Sequence, residues 1–166
     1  RIFAPLYYEY PLTAQIHALK FSSGRHLGRP LGLMLGERLR ERSEAGDIDA
    51  LIAVPFHRRR LLERGYNQAL EIGRAVAVEL ELPLLIAGIA RSVPTRTQSE
   101  LNIHERRVSV ANEFSVSRRL DGRKGAIVDD VITTGATVNA LAAALRDAGD
   151  GRGSSLGRRQ NSLADC

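Results

Sequence analysis

Short, wholly apolar runs alternate along this chain with longer segments in which an apolar residue recurs every three or four positions. Residues 11–21 carry Leu12, Ile16 and Leu19 at helical spacing, and residues 26–42 repeat the stripe through Leu27, Leu31, Leu35 and Leu39, so two amphipathic N-terminal helices are predicted. Residues 50–54 (ALIAV) are apolar throughout and stop at Pro55, as expected of a strand buried on both faces. The stripe Ala69, Ile72, Val76 and Leu80 predicts a further helix over residues 67–80, closed by Pro83. Residues 84–89 read as a second buried strand, Phe114–Val116 as a short one and Gly125–Val128 as a third buried strand. Residues 137–148, rich in alanine and leucine, read as the last helix. Residues 91–107 are polar without a clean period and read as a mobile loop, with one short helix near residues 102–110.

Strands alternating with helices predict an α/β fold with an open, mostly parallel sheet flanked by helices. Residues 1–149 are read as one domain that includes the N-terminal helices at 11–43, with no internal repeat and no linker. Residues 150–166 are rich in glycine, serine and arginine, and are read as a disordered or altered tail. The alternation calls for a further strand after the last helix, and this tail has no apolar run to supply it. The opening RIFAPLYYEY reads as an extended segment cut from something longer.

Composition narrows the classes. A chain of 166 residues can bury one core, and 43% hydrophobic with 26% charged residues excludes disordered and fibrous chains. No run approaches about 18 apolar residues, and no basic-then-apolar leader is present, so the expectation is a cytoplasmic protein without a membrane span. The lone Cys166 leaves no internal disulfide and no cysteine-rich metal site. The net charge of +5 favours an anionic partner. Lys20 and Lys124 are the only lysines, so the cations are almost all arginines suited to bidentate phosphate contacts, a bias that a genome's base composition explains as well.

The segment AIVDDVITTGAT, residues 126–137, carries the chemistry. A strand-to-helix turn through Gly135 lets successive N–H groups face one oxyanion, the helix N-terminus adds positive potential, and threonine hydroxyls add donors. Asp129 and Asp130 fall at the carboxyl end of the strand, where open α/β sheets bind ligands, and paired carboxylates there can accept hydrogen bonds from vicinal sugar hydroxyls. The plainer alternative is an acidic strand end whose Thr133 or Thr134 caps a helix. A second cluster, His57, Arg58, Arg59, Arg60 and Arg64, follows the strand at 50–54 with a donor density that suits pyrophosphate. For Arg58, Arg59 and Arg60 a solvated helix start pairing with Glu63 and Glu71 explains the charges equally well.

Residues 126–137 resemble the signature of type I phosphoribosyltransferases, which bind 5-phosphoribosyl-1-pyrophosphate (PRPP). VPFHRRRLLERGYNQA at 54–69 and TRTQSELNIHERRVSV at 95–110 resemble the ComF family of competence-associated, predicted phosphoribosyltransferases, and with residues 19–21 the similarity runs over most of 1–149. The resemblance implies a type I phosphoribosyltransferase-like fold with a flexible hood loop at 95–107. It implies Asp129 and Asp130 as the catalytic pair on the ribose hydroxyls, and Thr133, Thr134, Gly135, Ala136 and Thr137 around the 5′-phosphate. By the same resemblance Pro55, His57, Arg64, Asn67 and Gln68 face pyrophosphate, while Gln98, Arg106 and Arg107 belong to the hood. Mg²⁺ enters with PRPP, with no protein side chain assigned to it. The implied reaction moves the phosphoribosyl group to an unnamed nitrogen nucleophile with release of pyrophosphate.

The resemblance equally implies an alternative: a non-catalytic scaffold of this fold, serving DNA uptake through competence-machinery proteins or single-stranded DNA. For direct DNA contact the basic clusters at 58–60, 106–107 and 118–124 are available, but only Tyr66 and Phe114 stand near them to stack bases. A homodimer is a further expectation. The sequence departs from the family at Ser109, where asparagine is usual, in the tail that replaces a last strand, and in lacking the cysteine-rich zinc-binding start of many members.

Overall fold

β1 (Ala50–Ala53) is the middle strand of a small parallel sheet in a computed structural model that describes residues 2–20, 22–92, 113–117 and 123–149. It follows α1 (Leu12–Ala18) and α2 (Gly28–Arg40), with 3₁₀ turns at Ser22–Leu27 and Ser43–Asp47 on either side of α2. After β1 come α3 (Arg58–Arg64), α4 (Gln68–Leu80), β2 (Leu84–Leu85), β3 (Ile89–Arg91), β4 (Phe114–Val116), β5 (Gly125–Val128) and α5 (Ala136–Gly149). β2 and β5 both pair parallel to β1, in the order β2-β1-β5, with Leu51 opposite Leu84 and Ala53 opposite Val128. β3 and β4 form a separate antiparallel ribbon.

Every residue of β1 is buried because both faces of the sheet are covered. Leu51 and Val128 pack with Ile16, Leu31, Ile72 and Val76 from the N-terminal helices and α4. Ile52 and Val54 pack with Phe114, Leu141 and Leu145 from the ribbon and α5. Leu51 and Ile52 are fully buried, a contribution of about 1.5–3 kcal/mol per side chain.

α2 lies against α4 along a seam of Gly28, Gly32 and Gly36, one residue per helical turn. A Cβ on Gly32 would stand 2.5 Å from the Ile72 carbonyl oxygen and 2.6 Å from Ala75 Cβ, so the backbones approach closer than any side chain permits. Ion pairs Arg25–Glu71 (3.1 Å) and Arg40–Glu79 (2.9 Å) lace the exposed edges of this seam.

The parallel α/β core agrees with the sequence pattern, and its sheet is smaller than expected: three strands among the described residues. The run at 84–89 is not one strand. Only Leu84–Leu85 joins the sheet; the chain then turns at Ala87 and Gly88, and Ile89–Arg91 pairs with Phe114–Val116 instead. Apolar content alone could not reveal that break, because both halves bury side chains. The helix at 102–110, the hood and the tail at 150–166 lie outside the described residues. Among the described residues no helix is long and apolar enough to cross a membrane.

Candidate functional site

β1 and β5 end side by side. Val54 N–H donates to the Val128 carbonyl at 3.0 Å, so the segments that follow, from Pro55 and from Asp129, leave the sheet at adjacent points on its carboxyl edge. This is where an open parallel sheet forms its ligand crevice.

Asp129 and Asp130 turn the chain out of β5. The Asp130 N–H donates to Asp129 Oδ1 at 2.9 Å, and the Val131 N–H donates to Asp130 Oδ1 at 3.1 Å, so each carboxylate keeps an oxygen for another partner. Burial, the adjacent Asp130 charge and the contact with its side chain push the Asp129 carboxyl from 3.8 up to about 7, against smaller opposing pulls from the Asp130 N–H and then Arg91. Such a group is poised between charged and neutral forms at physiological pH.

The chain then crosses Thr133 and Thr134, both exposed, to Gly135, whose φ of 73° opens the turn into α5. Thr134 Oγ1 accepts from the Ala136 N–H at 3.4 Å, and the Asn139 N–H donates to the Gly135 carbonyl at 2.9 Å as the first helical bond. Thr134 thus closes the turn just ahead of α5 with its hydroxyl, in the same connection that carries the acid pair. Ile2 Cδ1 lies 3.7 Å from the point a Cβ on Gly135 would occupy, so the N-terminal segment reaches over this turn.

On the β1 side, Pro55 is half-buried and Phe56 presents its ring to two guanidinium groups, Arg60 at 5.1 Å and Arg64 at 5.6 Å. Burial, with the charges of Arg64 and Arg91, lowers the Arg60 pKa from its ordinary value, while Asp130 and Asp129 raise it; these cations and the two acids share one electrostatic neighbourhood. His57 is the N-cap of α3, its Nδ1 accepting from the Arg59 N–H at 3.2 Å. Arg59 pairs with Glu63 at 2.9 Å, the solvated pairing weighed from sequence, whereas Glu71 is engaged by Arg25 and Arg74.

Asn67 and Gln68 face inward. Asn67 Nδ2 donates to the Val54 carbonyl at 2.8 Å while its Oδ1 caps α4 by accepting from Leu70 N–H at 3.4 Å. The fully buried Gln68 donates to the Leu19 carbonyl at 3.1 Å and accepts from Arg64 at 3.5 Å; Tyr66 also donates to Leu19. These amides tie the exit of β1 and the end of α1 to the start of α4.

Arg91 is a group the sequence reading passed over. It is buried at the end of β3, paired with Glu113, with its guanidinium 5.5 Å from the Phe114 ring, and among the described residues its Nε has no hydrogen-bond partner. No motif marks it; the sole signal is a cation closing an apolar run. Gln98, Arg106 and Arg107 lie outside the described residues. Among the described residues, no three His, Cys, Asp or Glu side chains are grouped to hold a metal ion.

Competence protein F of Haemophilus influenzae is 33% identical over 149 residues, covering 86% of this chain and 65% of that protein. The DNA utilization protein YhgH of Escherichia coli O157:H7 is 36% identical over 138 residues, 81% of this chain and 61% of that protein, and the protein of the same name in Salmonella typhimurium is 33% identical over the same span. The chain thus spans somewhat less than two thirds of the length of these curated relatives. No family model matches the chain, and no solved structure matches it significantly.

Proposed function

Over most of its length this chain is homologous to competence protein F and the YhgH proteins, and from that premise we propose that it acts in the uptake or utilization of DNA through a site for a phosphorylated sugar of the PRPP type. The homology carries the first part of this reading. Deleting the gene in its host is expected to lower transformation, or growth on DNA, clearly below the parent's. The parent gene restores the function, and a copy with Asp129→Asn and Asp130→Asn does not. A deletion strain that takes up and uses DNA as its parent does overturns the role.

The second part is supported by the juxtaposition of the acid pair with the Gly135 turn and with Arg60 and Arg64 across the carboxyl edge. In this reading Asp129 and Asp130 accept hydrogen bonds from the ribose hydroxyls, and the turn at 133–137 supplies N–H and hydroxyl donors to the 5′-phosphate. Pro55, His57, Arg60 and Arg64 border the pyrophosphate, while Asn67 and Gln68 hold that border in place from beneath. The chemistry is displacement at ribose C1 by a nitrogen nucleophile, and the protein contributes positioning and charge. Mg²⁺ bound together with the ligand would supply charge neutralisation on the pyrophosphate, held by the ligand's oxygens and water. Calorimetric titration with Mg²⁺ and PRPP should show saturable binding that the double asparagine variant loses. A folded sample with no heat of binding overturns the sugar-phosphate part alone.

A further inference from the structure

Asp129 and Asp130 also border a cavity that no arginine lines among the described residues. Together with Val131 and Ile132 they line a cavity of about 140 Å³ that the N-terminal segment also lines. Phe3 and Tyr8 of that segment, Leu35 of α2 and Ile72 of α4 are among the lining residues. Arg42 holds Phe3 from outside the cavity, its guanidinium 4.9 Å from the ring centre. Among the described residues the lining is aliphatic and aromatic except for the two aspartates, which are its charged members.

We propose that this cavity binds the acceptor of the transfer, and that the acceptor is a single-ring aromatic amine or nitrogen heterocycle without negative charge. The inference rests on the phosphoribosyl reading above and names the substrate class for the same site.

Three features carry it. The first is size: an engineered apolar cavity of about 150 Å³ takes up benzene, so about 140 Å³ accommodates one ring. The second is lining, since the aromatic side chains Phe3 and Tyr8 from a segment without helix or strand, and aliphatic side chains from α1, α2 and α4, suit a flat apolar ring. The third is charge. Arg60 and Arg91 act on the acids electrostatically, yet among the described residues no cation borders the cavity, so a carboxylated ring placed inside would face the acid pair uncompensated. The cavity touches the groups that would hold the ribose hydroxyls, which brings a bound ring nitrogen or amino nitrogen to the side of the sugar. In the transfer the nitrogen lone pair forms the bond to C1, the C1–O bond breaks, pyrophosphate leaves with the electron pair, and the nitrogen's proton passes to water.

The test uses the full chain, methyl-labelled at isoleucine, titrated with aniline, with 2-aminobenzoate as its anionic counterpart, and with adenine as a two-ring comparison. Aniline is expected to shift the Ile72 and Ile132 methyl signals saturably, adenine to bind more weakly, and 2-aminobenzoate to bind at least about 30-fold more weakly. Leu35→Phe, which narrows the cavity, and Tyr8→Ala, which opens its lining outside the core, should each weaken aniline by about tenfold or more. Tyr8→Ala keeps the test valid if Leu35→Phe fails to fold. Absence of aniline binding, equal binding of 2-aminobenzoate, or aniline binding indifferent to both substitutions overturns the proposal. Titrating the same sample with Mg²⁺ and PRPP separates the two readings: PRPP binding without aniline overturns only the acceptor cavity, and aniline binding without PRPP overturns the acceptor role by removing its co-substrate.

Discussion

Replacing Asp129 by asparagine isolates the energetic burden of the acid pair. In the unfolded chain this carboxyl titrates near 3.8, and in the fold burial and the Asp130 charge push it up to about 7. Between those values the folded protein binds a proton that the unfolded chain has already lost. Stability is therefore greatest below the lower value, falls as pH rises from about 4 to about 7, and stays low above that. A gap of about three pH units at about 1.4 kcal/mol each places the loss near 4 kcal/mol at pH 8, as an order of magnitude. Asparagine keeps the shape and can still accept from the Asp130 N–H, but it has no charge to desolvate. Asp129→Asn should therefore be more stable than the parent at pH 8, by about 2–4 kcal/mol, and close to it at pH 4. Urea unfolding followed by far-ultraviolet circular dichroism measures this, since the chain has no tryptophan to report by fluorescence. Taking the difference between variant and parent at each pH removes the contribution of the histidines. A variant less stable than the parent at pH 8, or a difference that does not grow between pH 4 and 7, refutes the reasoning. The same substitution should weaken PRPP binding by at least about tenfold, the value of one charge-assisted hydrogen bond, so stability and function move in opposite directions.

Three further substitutions probe the frame around the site. Gly32→Ala drives a methyl group into the Ile72 carbonyl and should cost about 1–3 kcal/mol in urea unfolding, whereas Gly46→Ala, with open space around it, stays within about 0.5 kcal/mol of the parent. Asn67→Ala removes the α4 cap and leaves the buried Val54 carbonyl without its side-chain donor, an expected loss of about 2–3 kcal/mol by the same measurement. Arg91→Met strands the Glu113 carboxylate and should cost about 3 kcal/mol or more, most of which returns in the Arg91→Met, Glu113→Leu double variant; a thermal or urea double-mutant cycle showing no coupling refutes the pair's role.

The parts of this fold that sequence made legible are those in which residue type and period agree. ALIAV before Pro55 and GAIV before the acids became β1 and β5, and the leucine stripe of residues 26–42 became α2. What decides how close α2 comes to α4 is the glycine seam, which a count of apolar positions skips because glycine reads as a helix breaker. The run LLIAGIA misled because a continuous apolar stretch carries no phase, and its division between a parallel strand and an antiparallel ribbon depends on partners far along the chain. At the site, the acid pair and the Gly135 turn were legible as one contiguous motif. Asn67 and Gln68 show the limit of residue type: an amide announces donors and acceptors, and only the folded chain reveals that they face the Val54 and Leu19 carbonyls. Arg60 and Arg91 act on the acids through charge, from elements far apart in the chain, and no local pattern marks that proximity.

The reach of Ile2 over Gly135 has a practical side. Residues 2–8 run without helix or strand, and their far end stands at the mouth of the turn that precedes α5. Whatever is joined ahead of Ile2, a natural module or a purification handle, is thereby delivered to the doorway of the crevice, and not to the back of the molecule. Binding measured on fusions at that end reports on the fusion as much as on the fold. The opposite use is equally open: a fluorophore coupled ahead of Ile2 becomes a sensor of occupancy, with no alteration to the sheet.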